Sequence, residues 1–245
     1  MSPQMQIFDT VAELSNEVGQ LISELSANAI KARRRFTVAL SGGSMPKLLA
    51  DALTAEPLRS QIDWSKWHVF WADERLVALD HSDSNYYAAQ RNLFQAVNIP
   101  PTQIYPLNDS LAVVAAAGAY QETLAQLFQP AGTAWPRFDL ILLGMGEDGH
   151  TASLFPGHPL LQNCTDWVAP IFDSPKPPPQ RITLTLPLIN KARQVAFIAT
   201  GASKASALSQ IFTPTPAAEP LPAALIQPPQ GEVHWFVDEA AADLL

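Results

Sequence analysis

The sequence predicts an α/β protein, a single domain over residues 1–245 built on a mostly parallel, doubly wound sheet with helices on both faces. Three observations carry that expectation. Short runs rich in Val, Ile, Leu, Phe and Trp alternate with segments whose apolar residues recur at helical spacing, the pattern of a sheet covered on both sides. Hydrophobic residues make up 47% of the 245 positions and charged residues 16%, enough to build a sizeable core. Glycine-rich or charged clusters stand directly after several apolar runs, where ligands of open α/β sheets collect.

Taken in order, Asp9 or Thr10 can cap a first helix. Val11, Leu14, Val18, Leu21, Ile22, Leu25 and Ala29 keep helical spacing within it to about Ala32. The arginines at 33–35 read as its solvated end, where cations complement the dipole. FTVAL (36–40) is a buried strand, SGGSMP (41–46) the turn after it, and KLLADAL (47–53) opens a helix. HVFWA (68–72) is a second buried strand. Residues 83–97 are helical with Asp83 or Ser84 near the cap, and 112–128 form another helix. FDLILLG (138–144), RITLTLP (181–187), QVAFIAT (194–200) and EVHWFVD (232–238) are strands, with a helix over 202–212. The proline-rich stretches 173–180 and 213–222 read as loops rather than linkers, because the alternation resumes after each.

The formal charge of −8 argues against a nucleic-acid partner. An acidic chain can still hold an anion through a local cluster of Arg, Lys and backbone N–H groups. Cys164 is the only cysteine, so no intrachain disulfide forms. The first residues show no basic segment followed by an apolar core, and no stretch approaches the ~20 apolar residues of a membrane span. The expectation is a soluble cytoplasmic protein with no membrane partner, a monomer rather than an oligomer.

Four clusters at strand ends could carry chemistry. Ser41-Gly42-Gly43-Ser44, between a strand and a helix, suits a phosphate, although an ordinary tight turn has the same composition. It is not a Walker A loop. Asp73-Glu74-Arg75 is either a surface ion-pair cluster or part of a site. Gly144-Met145-Gly146-Glu147-Asp148-Gly149 spells the dinucleotide fingerprint. It falls late in the chain, however, and its nearest acidic candidate, Asp166, lies in a poorly patterned stretch, so no dinucleotide is expected. The same stretch holds Asp148-Gly149-His150, in which the carboxylate can orient the imidazole if the turn folds back. A purely structural histidine has the same signature. Asp148, His150 and His158 match no metal-ligand spacing, so no metal is expected. A serine triad has no G-x-S-x-G, and Ser153 shares a segment with His150. Last come Arg181, at a strand start, and Lys204, at a helix start where it opposes the dipole unless an anion joins it.

Together, LSGGSMP, WADER…SDSNY, LGMGEDGHTASLFP and RITLTLP…GASKA, spread from 40 to 205, resemble the 6-phosphogluconolactonase family. The resemblance implies hydrolysis of 6-phospho-D-glucono-1,5-lactone in the oxidative pentose phosphate pathway, on an α/β fold, with no metal or organic cofactor. It also implies that Gly42, Gly43, Ser44, Arg181 and Lys204 hold the substrate phosphate, and that Asp148 and His150 lie at the lactone with Asp73 and Arg75 facing it. In those roles His150 is the general base and Asp148 orients it, Arg75 meets the oxyanion, and Asp73 holds Arg75 or a sugar hydroxyl. Met45 stands where such loops commonly carry Thr. The related glucosamine-6-phosphate deaminases resemble DGHIAFNEP after this turn and Asp-Glu-Tyr in the second cluster. Here 151–156 hold no acid and the second cluster is Asp-Glu-Arg, which favours the lactonase. A non-catalytic phosphosugar-binding module would keep Gly42, Gly43 and Lys204 but has no need of Asp148 and His150.

Overall fold

In the computed structural model, which describes residues 4–129, 132, 134–214 and 219–245, the apolar runs become β2 (Phe36–Leu40), β3 (Trp67–Trp71), β5 (Leu140–Gly144), β8 (Gln194–Ala199) and β9 (Glu232–Asp238). With β1 (Gln4–Phe8) they form a six-stranded sheet in the order β1-β9-β8-β5-β2-β3, every pair parallel. Successive residues of one strand face opposite cores. Phe36, Val38, Leu140, Leu142, Ala196 and Ile198 belong to one cluster, and Ala39, Ile141, Leu143, Val195 and Phe197 to the other. Burial on both faces is why these strands read as unbroken apolar runs.

Helices α1 (Val11–Arg33) and α2 (Met45–Leu53) cover the first face, and α5 (Val113–Phe128), α7 (Ala205–Phe212) and α8 (Glu239–Ala242) the second. Short helices α3 (Leu58–Gln61), α4 (Asn85–Ala89) and α6 (Leu186–Ile189) fill connections. Thr10 caps α1 by accepting from the Glu13 N–H at 3.2 Å. Among the described residues no helix is long and apolar enough to cross a membrane.

The sequence reading lacks a second sheet. Here β4 (Asp73–Arg75), β7 (Arg181–Leu184) and β6 (Val168–Ile171) pair antiparallel in the order β4-β7-β6. Ala72 joins the two sheets: its N–H donates to Leu40 O and its carbonyl accepts from the Leu184 N–H, both at 2.7 Å. The strand expected over 181–187 therefore stops at Leu184, and Pro187 lies in the first turn of α6. The helix expected over 83–97 is α4 followed by a π-turn at Gln90–Phe94. In the proline-rich loop 213–222, residues 215–218 lie outside the described residues.

Candidate functional site

The chain runs from β2 to β3 on one side and to β5 and β8 on the other. Just beyond the carboxyl ends of β2, β5 and β8 lies a cleft of about 300 Å³. Crevices at such reversals of strand order are where α/β sheets bind ligands.

After β5 the chain turns back on itself. Gly146 N–H donates to His150 O at 2.9 Å, and Gly149 N–H, at φ 75°, donates to Gly146 O at 3.0 Å. The turn brings Asp148 Oδ1 to 2.5 Å from His150 Nδ1, leaving Nε2 without a partner among the described residues. Gly146 is required here, because a methyl on it would overlap both the imidazole and the Asp148 carboxylate. Gly144 has open space around it. Gly146 and Gly149 thus build a turn that sets Asp148 against His150. Burial holds His150 below its ordinary 6.5, against the pull of Asp148 and with help from the Lys176 charge. Burial pushes Asp148 up, but the hydrogen bond and charge of His150, with Lys176, outweigh it and hold the carboxyl below its usual value.

Across the cleft is the Ser41–Ser44 turn. Gly43 has φ 72°, and Gly42 lies so close to Asn85 Oδ1 that no Cβ would fit. Ser44 starts α2 without a side-chain capping bond, and the buried Ser41 Oγ has no partner among the described residues. These free donors suit an anion at a helix N-terminus. Met45 is buried in the core rather than in the cleft wall, so its departure from Thr leaves the cradle backbone intact. Lys204 faces the same cleft from the turn before α7. That turn is pinned by Asp238, whose carboxylate accepts from Gly201 N–H at 2.9 and 3.0 Å.

The third wall is the small sheet. Asp73 is buried; its Oδ2 accepts from Ser153 Oγ at 2.7 Å and lies 4.0 Å from Arg181 Nη1. Of the two roles expected for Asp73, holding Arg75 or a sugar hydroxyl, the first is not found, because Arg75 Nη1 turns away to Asp83 O at 2.7 Å. Its Nε is buried without a partner among the described residues. Arg181 donates from Nε to Pro178 O (3.0 Å), from Nη2 to Lys176 O (2.8 Å) and Pro177 O (3.1 Å), and from Nη1 to Ser153 Oγ (3.2 Å). One N–H of the guanidinium remains for a ligand.

Two cleft residues, Asn85 and Lys176, were given no role by the sequence. Asn85 donates to Asp73 O at 2.8 Å; its signals were its place after a helix cap and within the SDSNY motif. Glu74 points away from the cleft and accepts from the Arg75, Asn85 and Tyr86 N–H groups, each at 2.8 Å, and from Ser84 Oγ at 3.3 Å. Burial pushes its pKa to about 7, against the pull of those backbone donors. Lys176 reaches the cleft from a proline-rich loop that showed no functional signal. His158 does not join the site; it meets Asp173 at 3.1 Å. No cluster of three metal-ligating side chains occurs among the described residues.

A family model described as glucosamine-6-phosphate isomerases/6-phosphogluconolactonase matches residues 9–235. The chain is 46% identical to the human 6-phosphogluconolactonase, over 98% of this chain and 93% of that one. It is 45% identical to the rice "Probable 6-phosphogluconolactonase 3, chloroplastic", over 98% of this chain and 75% of the relative. Among solved structures it resembles the 6-phosphogluconolactonase from Trypanosoma cruzi, with a TM-score of 0.87, 31% identity, and 100% and 97% of the two chains covered.

Proposed function

This chain belongs to the glucosamine-6-phosphate isomerase/6-phosphogluconolactonase family, and from that premise we propose that it hydrolyses 6-phospho-D-glucono-1,5-lactone to 6-phospho-D-gluconate, with His150 as general base on water. One observation carries the proposal: an imidazole oriented by Asp148 faces, across one cleft, a helix N-terminus and a lysine suited to phosphate.

In the proposed reaction His150 Nε2 takes a proton from water as the oxygen attacks the lactone carbonyl carbon. The tetrahedral intermediate then collapses, the bond to the ring oxygen breaks, and the imidazolium returns the proton to that oxygen. Asp148 keeps the proton on Nδ1 before attack and stabilises the imidazolium after it. Arg75, which lines the cleft, is the proposed donor to the oxyanion through a guanidinium N–H that Asp83 does not hold. Asp73 fixes Ser153 and Arg181 in the wall of the cleft. The phosphate is held by the N–H groups of Gly42, Gly43 and Ser44, by Lys204 and by the remaining N–H of Arg181. Holding it far from the reacting carbon uses binding energy to orient the lactone. The proposal uses no metal or organic cofactor, takes residues 1–245 as one monomeric domain, and sets the reaction in the oxidative pentose phosphate pathway of the cytoplasm. Ring-opening deamination finds no support, since 151–156 hold no carboxylate.

The test is lactone hydrolysis with spontaneous opening subtracted. His150→Ala should lose about 10²–10⁴-fold in rate. Lys204→Ala should raise KM for the phosphorylated lactone, and unphosphorylated gluconolactone should be a poor substrate. An unimpaired His150→Ala variant removes the general base assignment. Equal rates on the two lactones remove the phosphate site, and ammonia release from glucosamine 6-phosphate would select the deaminase.

A further inference from the structure

Loop 173–180 is built more firmly than a surface connection requires. Ser174 Oγ donates to Lys176 O at 2.8 Å and accepts from Lys176 N–H at 3.3 Å, while Ser174 N–H donates to Pro179 O at 3.1 Å. Arg181, 3% exposed, grips the carbonyls of Lys176, Pro177 and Pro178 from below. A buried guanidinium is costly unless paired, and this one is balanced by Asp73 while most of its donors go to the loop. The side chain that this frame delivers to the cleft is Lys176. Its Nζ stands 3.8 Å from Asp148 Oδ1, the same oxygen that meets His150 Nδ1 at 2.5 Å.

We propose that Lys176 is a positioning residue for the lactonase site: held over Asp148 by Arg181's grip on its loop, it offsets part of the charge that Asp148 presents to His150. The inference rests on the reading of His150 as the general base.

The groups facing the imidazole are Asp148 on its own turn, Asp73 on β4, Lys176 on the loop and Arg181 behind the Phe155 ring, with Arg75 and Lys204 on the rim of the same cleft. The two carboxylates raise the affinity of His150 for a proton, whereas burial and Lys176 lower it. Removing Lys176 leaves both carboxylates opposed by burial alone. A unit charge about 6 Å away shifts a titration by roughly 0.5–2 pH units between effective dielectric constants of about 80 and 20. The lower end applies to a side chain 40% exposed. The same arrangement explains why Arg181 has so little left for phosphate: its main work is on the loop.

The experiment compares the unaltered chain with Lys176→Met and Lys176→Arg. His150 is titrated by NMR in the ligand-free protein, its signal identified by its loss in His150→Ala, and the pH profile of kcat/KM on the phosphorylated lactone is recorded. Lys176→Met should move both the His150 midpoint and the acid limb upward by about 0.5 pH unit, with KM little changed, and Lys176→Arg should restore both. A folded Lys176→Met chain whose His150 midpoint does not move overturns the inference. The NMR titration needs no substrate. A shifted midpoint in a chain that hydrolyses no lactone upholds the electrostatic role and defeats the lactonase reading, whereas hydrolysis with an unmoved midpoint does the reverse.

Discussion

Gly146→Ala tests the turn without removing any catalytic group. The backbone at Gly146 does not have positive φ, so alanine is tolerated by the chain itself. Its methyl is not tolerated by the neighbours: it would fall far inside van der Waals contact with Nδ1 and Cε1 of His150 and Oδ1 of Asp148. Clearing it requires those groups to retreat by on the order of 1 Å and breaks their 2.5 Å bond, and a displacement of that size costs about 100-fold in rate. That corresponds to about 2.7 kcal/mol in the barrier. The imidazole and carboxylate side chains are 17% and 35% exposed, so they have room to move and the fold should hold. The assay is kcat and KM on the phosphorylated lactone after subtraction of spontaneous opening, beside a thermal melt. We expect kcat to fall about 100-fold with KM nearly unchanged, because the proposed phosphate cradle lies across the cleft. Gly118→Ala, on an exposed position of α5 where a methyl meets nothing, is the control; it should raise stability by about 0.5–1 kcal/mol with kcat unaltered. A Gly146→Ala chain that turns over as fast as the unaltered one would refute the claim that this glycine makes room for the catalytic pair.

The acid limb of kcat/KM should have its midpoint below 6.5, because burial lowers the pKa of His150; activity is present above that midpoint and lost as pH falls through it, and a limb centred above 6.5 contradicts the account. Glu74→Gln should destabilise the chain by about 1–3 kcal/mol in urea unfolding at pH 7, since an amide leaves donors at 84–86 or 75 without an acceptor. The folded pKa of Glu74 is raised from 4.5 to about 7, so its protonated form contributes stability that is complete below 4.5 and lost as pH rises through about 7. The difference between the unaltered chain and Glu74→Gln should therefore narrow over that interval.

Much of the fold was legible because its signals are local. Strands buried on both faces show as apolar runs, and α1 announces itself through Thr10 and its heptad-like apolar spacing. What was missed has no such signal: β1 is an edge strand with Ile7 exposed, β4 is three charged residues, and β6 is four residues including Pro170. Each is a strand only because a partner pairs with it.

The site divides the same way. By itself the sequence offered Asp148 and His150, two residues apart across a glycine, as a pair if the turn folds back, and the Ser41–Ser44 turn at a helix start, because turn chemistry acts over a few residues. Only the tertiary structure decided that Asp73 meets Ser153 and Arg181 rather than Arg75, separations of 80 and more residues. It also decided that most of the Arg181 guanidinium serves the loop carrying Lys176. Long side chains choose partners by the packing of distant elements, and no spacing along the chain encodes that choice.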